Sequence, residues 1–213
     1  MSERRHPSDE TLAALAAGAV HAGPRLVLDT HLLGCPECRQ RVRAFEAIGG
    51  AFLEDAEPAP PPDDLLARTW ALIEAGAQTR VAAPAWTAPF ADAPATLRDC
   101  HIGPWRFIQP GLRIAMVTPP GESEASAMLM RVGAGRQMPN HTHDGVEYTQ
   151  VLAGAYYDAS GRYAAGDYDE ADGAVRHQPH AEPDQDCVCL AAIDGRLRLT
   201  SFVGRLAQTF MGF

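Results

Sequence analysis

Through the N-terminal third of the chain, apolar residues recur at helical spacing. Leu12, Ala13, Leu15 and Ala16 follow Ser8, a suitable N-cap, with Asp9 and Glu10 in the first turn. Gly18 ends that run. Pro24 suits the first turn of a second helix carrying Leu26, Val27, Leu28 and His31, which Gly34 breaks. Pro36 opens a third helix with Val42, Phe45 and Ile48, expected to stop at Gly49-Gly50. After a Pro-rich hinge, Pro58 to Pro62, Asp63 or Asp64 caps a fourth, amphipathic helix with Leu65, Leu66, Trp70, Leu72 and Ile73.

From Gly76 to Pro94 the chain turns to Ala, Pro and Thr with little charge, a linker composition. Beyond it, short β-type runs recur: Trp105 to Ile108, Leu112 to Thr118, Ala127 to Val132, Glu147 to Leu152, Tyr156-Tyr157, Val188 to Ile193 and Leu197 to Val203. Gly, Pro, Asp and Asn punctuate them, as in a β-sandwich or barrel. The expected organisation is multidomain α + β. A helical segment spans 1–76, a linker 77–94 and an all-β segment 95–213.

Charge narrows the partners. The formal net charge of −9 over 213 residues argues against direct nucleic-acid binding, which needs clustered Lys and Arg. It favours a partner that is itself basic, such as a DNA-binding protein held off DNA. No run of about 18 apolar residues is present to span a membrane. The opening Met1 to Pro7 has no apolar stretch behind it and does not read as a signal peptide. Five unevenly spread cysteines make a poor disulfide framework and point to a reducing cytoplasm.

Three of the chemistry-bearing residues gather between the second and third helices. His31, Cys35 and Cys38 form an H-x3-C-x2-C cluster. Thiolate and imidazole suit tetrahedral zinc, and C-x2-C at a helix start lets two sulfurs face one ion. A structural site needs a fourth ligand. His6, just before the first helix with nothing apolar to pack against, is the choice; His21 is the alternative. A redox Cys pair would usually belong to a βαβ context, which is missing.

These residues resemble the zinc-binding anti-sigma domain, over about Met1 to Ala75. The resemblance implies a three-helix bundle around zinc and a fourth helix swinging on a flexible connection, here Pro58 to Pro62. It also implies that Leu65, Leu66, Trp70 and Ile73 clasp a sigma factor and block its polymerase-binding surface. The alternative is that this apolar stripe closes the bundle core.

A second constellation lies in the β-rich part. Gly135-x5-His141-x-His143-x3-Glu147-x6-Gly154 resembles the first cupin motif at every fixed position, implying a jelly-roll barrel. Residues two apart on a strand share a face, so His141 and His143 look the same way. Glu147 returns after the turn at Asp144-Gly145, and a later strand supplies His177, or alternatively His180. Such a set suits a divalent ion: zinc, iron, manganese or nickel. Cys187 and Cys189 share a strand face. They are either small buried apolar residues or a thiol pair near the metal that meets an oxidant; a disulfide between them would strain the strand. Cys100 is read as inert.

Together these segments resemble the ChrR group of anti-sigma factors over nearly the whole chain, including Phe210-Met211-Gly212-Phe213. The resemblance implies that the helical part binds an extracytoplasmic-function sigma factor of the SigE type. It further implies that the cupin part responds to singlet oxygen or organic hydroperoxide. A protease or signal ligand is a separate candidate partner. The competing class is a cupin metalloenzyme, a dioxygenase or hydrolase, regulated by the zinc module, with Tyr148, Tyr156 and Tyr163 lining its pocket. A metal-storage protein is a third class, but storage needs no clasping module.

Overall fold

The computed structural model describes residues 5–77, 93–195 and 197–199. Four helices come first: α1 (Asp9–Ala16), α2 (Ala22–Gly34), α3 (Pro36–Glu54) and α4 (Leu65–Ala77). Ser8 caps α1, its hydroxyl accepting from the Thr11 amide at 3.1 Å. Cys35 leaves the helical region (φ −121°, ψ 97°) and caps α3, its sulfur accepting from the Cys38 amide at 3.4 Å. The Arg39 guanidinium reaches back to the last carbonyls of α2, donating to Leu33 at 3.1 Å and also to Leu32. One boundary differs from expectation. α3 runs through Gly49-Gly50 to Glu54. Each glycine costs about 1 kcal/mol against Ala in a helix interior, too little to stop a helix that Ala51, Phe52 and Leu53 continue.

The strands are β1 (His101–Ile102), β2 (Arg106–Gln109), β3 (Leu112–Thr118), β4 (Ala127–Val132), β5 (His141–His143) and β6 (Val146–Ala153). They continue as β7 (Ala155–Asp158), β8 (Gly161–Ala164), β9 (Tyr168–Ala171), β10 (His180–Ala181), β11 (Cys187–Asp194) and β12 (Leu197–Leu199). All pair antiparallel. The main sheet runs β1-β3-β4-β11-β6-β9, with β2 on β3; β10-β7-β8 and β12-β5 complete the architecture. The tight turn after β6 needs Gly154: φ is +71°, and a Cβ there would lie 2.3 Å from the Asp186 carbonyl oxygen. The expected strand from Leu197 is present to Leu199. Its continuation to Val203, the aromatic C-terminus and linker residues 78–92 lie outside the described residues.

Helices and sheet share one core. α2 lies across β4, β6 and β11. Its Leu26, Val27 and Leu28 join Leu12 of α1 and Val117, Leu129 and Leu190 of the sheet. Val27 and Leu28 are fully buried. Each such side chain contributes about 1.5–3 kcal/mol to docking and folding. The helix comes so close that a Cβ on Gly23 would lie 2.0 Å from the Ser126 carbonyl oxygen. A second core fills the barrel, with Leu112, Met130, Val132, Val151, Tyr156 and Ala191. Strand β6 divides the two. Tyr148 and Leu152 pack toward the helices, while Val151 packs into the barrel, as a period of two requires.

The N-terminal segment is tied down beside this interface. The Tyr168 amide donates to the Arg5 carbonyl at 3.2 Å, and the Arg5 amide to Asp167 at 3.1 Å. The Arg5 guanidinium donates to the Tyr163 hydroxyl and the Ser160 carbonyl and sits 4.3 Å from the Tyr163 ring centre. Ser8 and Thr11 both donate to Glu170 on β9.

α4 behaves differently. Leu66, Trp70 and Ile73, one stripe at helical spacing, are 69%, 57% and 54% exposed. Phe52 and Leu53 at the end of α3 are 74% and 77% exposed. The apolar face of α4 therefore does not close the bundle core.

Two candidate metal centres

The first centre lies where α2, α3 and the N-terminal segment meet. His6, His31, Cys35 and Cys38 each bring a ligand atom within 4.8 Å of the others. His6 Nδ1 lies 3.4 Å from the Cys35 sulfur and 3.3 Å from the Cys38 sulfur. Its other nitrogen, Nε2, is 3.5 Å from the Glu37 carboxylate. His21 stands at the exposed start of α2, away from this group. The Cys38 thiol is pushed up to about 12, first by burial and then by its hydrogen bond to Cys35 and the charge there. Buried sulfurs that repel one another's ionisation are what a divalent cation relieves, so the donor set fits a metal of zinc's preferences.

His31 is 2% exposed, and its surroundings come from the sheet. Its Nδ1 donates to Gln150 Oε1 on β6 at 2.8 Å. The Tyr168 ring meets the imidazole edge-on, with centres 5.5 Å apart. With Nδ1 held this way, Nε2 is the nitrogen that can face the sulfurs.

The second centre lies inside the barrel. His141 and His143 sit on β5 and Glu147 on β6; the backbone of His177 bridges to that of His141. The Nε2 atoms of His141, His177 and His143 lie 3.3, 3.3 and 3.7 Å from Glu147 Oε2. All four residues are buried. The Nδ1 atoms of His141 and His143 donate outward to the Pro139 and Gly145 carbonyls at 2.9 and 2.7 Å, and that of His177 faces Asp158 Oδ2 at an ion-pair distance of 3.4 Å. This is how metal-binding histidines are oriented, one nitrogen inward and the other held from behind. His143 Nε2 is buried without a hydrogen bond, which a metal would supply. His180 instead stacks on Tyr157, with ring centres 5.3 Å apart.

Charge at this centre is strongly coupled. Burial alone would raise the Glu147 carboxyl, but the hydrogen bonds from His141 and His177 outweigh it and hold the group far below the usual carboxylate range. Burial opposes a charged His177, yet Asp158 and Glu147 hold it up to about 10. A divalent cation here would take the place of that proton.

The space around the barrel centre is small. A cavity of about 20 Å³ is lined by Glu147, Thr149, Tyr156, His177, Cys187 and Cys189. That holds about one water, whereas organic ligands occupy pockets of roughly 300–1,000 Å³. A larger cavity, about 470 Å³, opens between the two centres and touches His6, Arg5, Tyr163, Tyr168, Asp158 and His177. Tyr156 and Tyr163 thus line cavities, while Tyr148 packs toward the helices.

Cys187 and Cys189 are buried, with sulfurs 3.7 Å apart. The Cys189 thiol is held protonated by its hydrogen bond with Cys187 and by burial. That is the setting of inert core cysteines. Cys100 packs half-buried against the shared core, its thiol donating to the Thr96 carbonyl at 3.4 Å and pushed up to about 11, chiefly by burial.

Comparison with known proteins agrees in both halves. Residues 94–194 match the family described as the ChrR cupin-like domain. The anti-sigma-E factor ChrR of Cereibacter sphaeroides is 40% identical over 215 residues, covering 99% of each chain. The chain belongs to the ChrR family of anti-sigma factors. The crystal structure of Rhodobacter sphaeroides SigE in complex with the anti-sigma factor ChrR superposes with a TM-score of 0.69 at 38% identity. The match covers 90% of this chain and 99% of that one. An RmlC-like cupin protein from Ralstonia eutropha shares 19% identity over 49% of this chain and 69% of its own, with a TM-score of 0.40. In this chain, helices precede the cupin-like domain. Among the described residues, no helix is long and apolar enough to cross a membrane.

Proposed function

We propose that this chain is a cytoplasmic anti-sigma factor that sequesters an extracytoplasmic-function sigma factor of the SigE type. Residues 1–76 form the clasp, 77–94 the connection and 95–213 the sensing part. One observation carries the reading. A chain matching an anti-sigma factor along its whole length presents Leu66, Trp70 and Ile73 on one helix, each more than half exposed among the described residues. An exposed stripe of this kind marks a protein-interaction surface. The net charge of −9 complements a basic partner.

In this reading zinc at His6, His31, Cys35 and Cys38 holds the clasp together, since a small bundle has little core of its own. A divalent ion at His141, His143, Glu147 and His177 serves the sensor, and singlet oxygen or organic hydroperoxide is the cue that releases the sigma factor. The cavity of about 20 Å³ beside Glu147 and His177 leaves room for a molecule the size of a small oxidant next to the candidate ligands. The Cys189 thiol, buried and pushed up by Cys187 and burial, is a poor nucleophile toward a hydroperoxide.

The test is in vitro transcription from a promoter dependent on such a sigma factor. Adding the full chain should silence it, and photogenerated singlet oxygen should restore it. Silencing by a chain carrying His141→Ala that no longer yields to singlet oxygen supports the sensor. Transcription unaffected by the chain contradicts the clasp.

A further inference from the structure

The two centres are nearer in the fold than in the sequence. Strand β6 carries Glu147 on the barrel side and Gln150 on the helix side. It is held along both edges: Glu147 pairs with Ile193 and Ala171, and Gln150 with Leu190 and Tyr168. A strand paired on both sides moves as a unit. Its Glu147 carboxylate receives the barrel imidazoles. Its Gln150 carbonyl receives His31 Nδ1–H at 2.8 Å.

The amide is itself fixed. Gln150 Nε2 donates to the Val151 carbonyl at 2.9 Å, which leaves Oε1, the acceptor, facing His31. An acceptor there requires Nδ1 to carry the proton and Nε2 the lone pair. Gln150 is 3% exposed, so water does not compete.

We propose that Gln150 is a positioning residue for the zinc clasp, and that β6 transmits the state of the barrel metal to it through the pair Glu147 and Gln150. Gain or loss of the ion drawn onto Glu147 shifts β6, and the shift reaches His31 as a change in its orientation toward the sulfurs. The path runs through packed strand and hydrogen bond and does not need the linker. It rests on both side-chain groups holding metal.

The experiment uses the full chain loaded with cobalt, whose thiolate charge-transfer and d–d bands report the sulfur site selectively. Gln150→Leu removes the acceptor, Gln150→Ser admits water in its place, and Gln150→Glu keeps an acceptor. Loss of this partner is expected to weaken cobalt binding at the sulfur site about tenfold or more and to shift its d–d bands. Gln150→Glu is expected to restore both. Glu147→Ala should change the rate at which a chelator strips the sulfur site in the parent, and should leave it unchanged in Gln150→Leu or Gln150→Ser. Unaltered bands and affinity in the folded Leu and Ser variants would overturn the positioning role. A Glu147→Ala effect absent from the parent, or undiminished without Gln150, would overturn the transmission. Absence of any thiolate band in the parent would instead refute the metal reading of the sulfur site.

Discussion

Glu147 and Gln150 share strand β6 and serve opposite faces of it, one receiving the histidines of the barrel and the other the histidine of the sulfur cluster. The helical part is therefore fastened to the sheet at its own candidate metal ligands. His31 is held by Gln150, and His6 follows directly on Arg5, whose backbone and guanidinium grip the β8–β9 region.

The sulfur cluster should be needed for folding of the helices. Replacing Cys35 and Cys38 by Ser removes two donors and with them metal binding worth roughly 10–16 kcal/mol in zinc-finger peptides at neutral pH. Metal analysis should fall by one ion per chain, and helical circular dichroism should drop while sheet signal persists. Full helicity in the double variant would exclude a structural role.

Metal affinity at this cluster should fall as pH falls. With the Cys38 thiol pushed up to about 12, it is protonated at neutral pH in the metal-free protein. Binding displaces that proton, so acid competes with metal. The expected slope is about tenfold in affinity per pH unit for each proton displaced. Cobalt titrations between mildly acidic and mildly alkaline buffer, with released protons counted by indicator dye, measure it.

The N-terminal tether should matter out of proportion to its length. Arg5→Ala removes hydrogen bonds to Tyr163 and Ser160 and the stacking on Tyr163. A loss of about 1.5–3 kcal/mol is expected for charge-assisted bonds of this kind. It should appear as a lower denaturation midpoint and faster proteolysis ahead of α1. A midpoint unchanged from the parent would show that the segment is not anchored by Arg5.

Much of this architecture was legible in the chain. Ser8 as a cap, Pro36 opening α3 and the 3.6-residue spacing of Leu65 to Ile73 are local signals, and local signals survive folding. The choice of His6 over His21 rested on its place before α1, and the structure brings His6 to the sulfurs. The spacing of His141, His143 and Glu147 follows from strand periodicity and one turn. What was not legible came from tertiary pairing. β8 and β9 are short and polar; Tyr168-Asp169-Glu170 reads as loop until Ser8, Thr11 and Tyr156 are seen bonding to its carboxylates. Gln150 and Asp158 have no motif. Gln150 sits in a run that already carries Glu147 and Thr149, so no local signal marks it. Gly49-Gly50 misled because glycine inside a helix is weakly unfavourable rather than forbidden.

The α4 stripe should separate binding from stability. Leu66→Glu and Ile73→Glu sit on exposed positions and should change thermal stability by less than about 0.5 kcal/mol. Trp70→Ala should weaken sigma-factor binding by about 2–4 kcal/mol, as anchoring tryptophans do at interfaces. Equal loss of stability and binding would instead make α4 part of the core.

The central claim is tested most directly by titrating the purified full chain with an extracytoplasmic-function sigma factor from the same source, read by light scattering after size exclusion. A stable one-to-one complex that Trp70→Ala weakens and Cys35→Ser with Cys38→Ser abolishes is the predicted result. Two separate peaks at micromolar concentrations, with metal present at both centres, would contradict it.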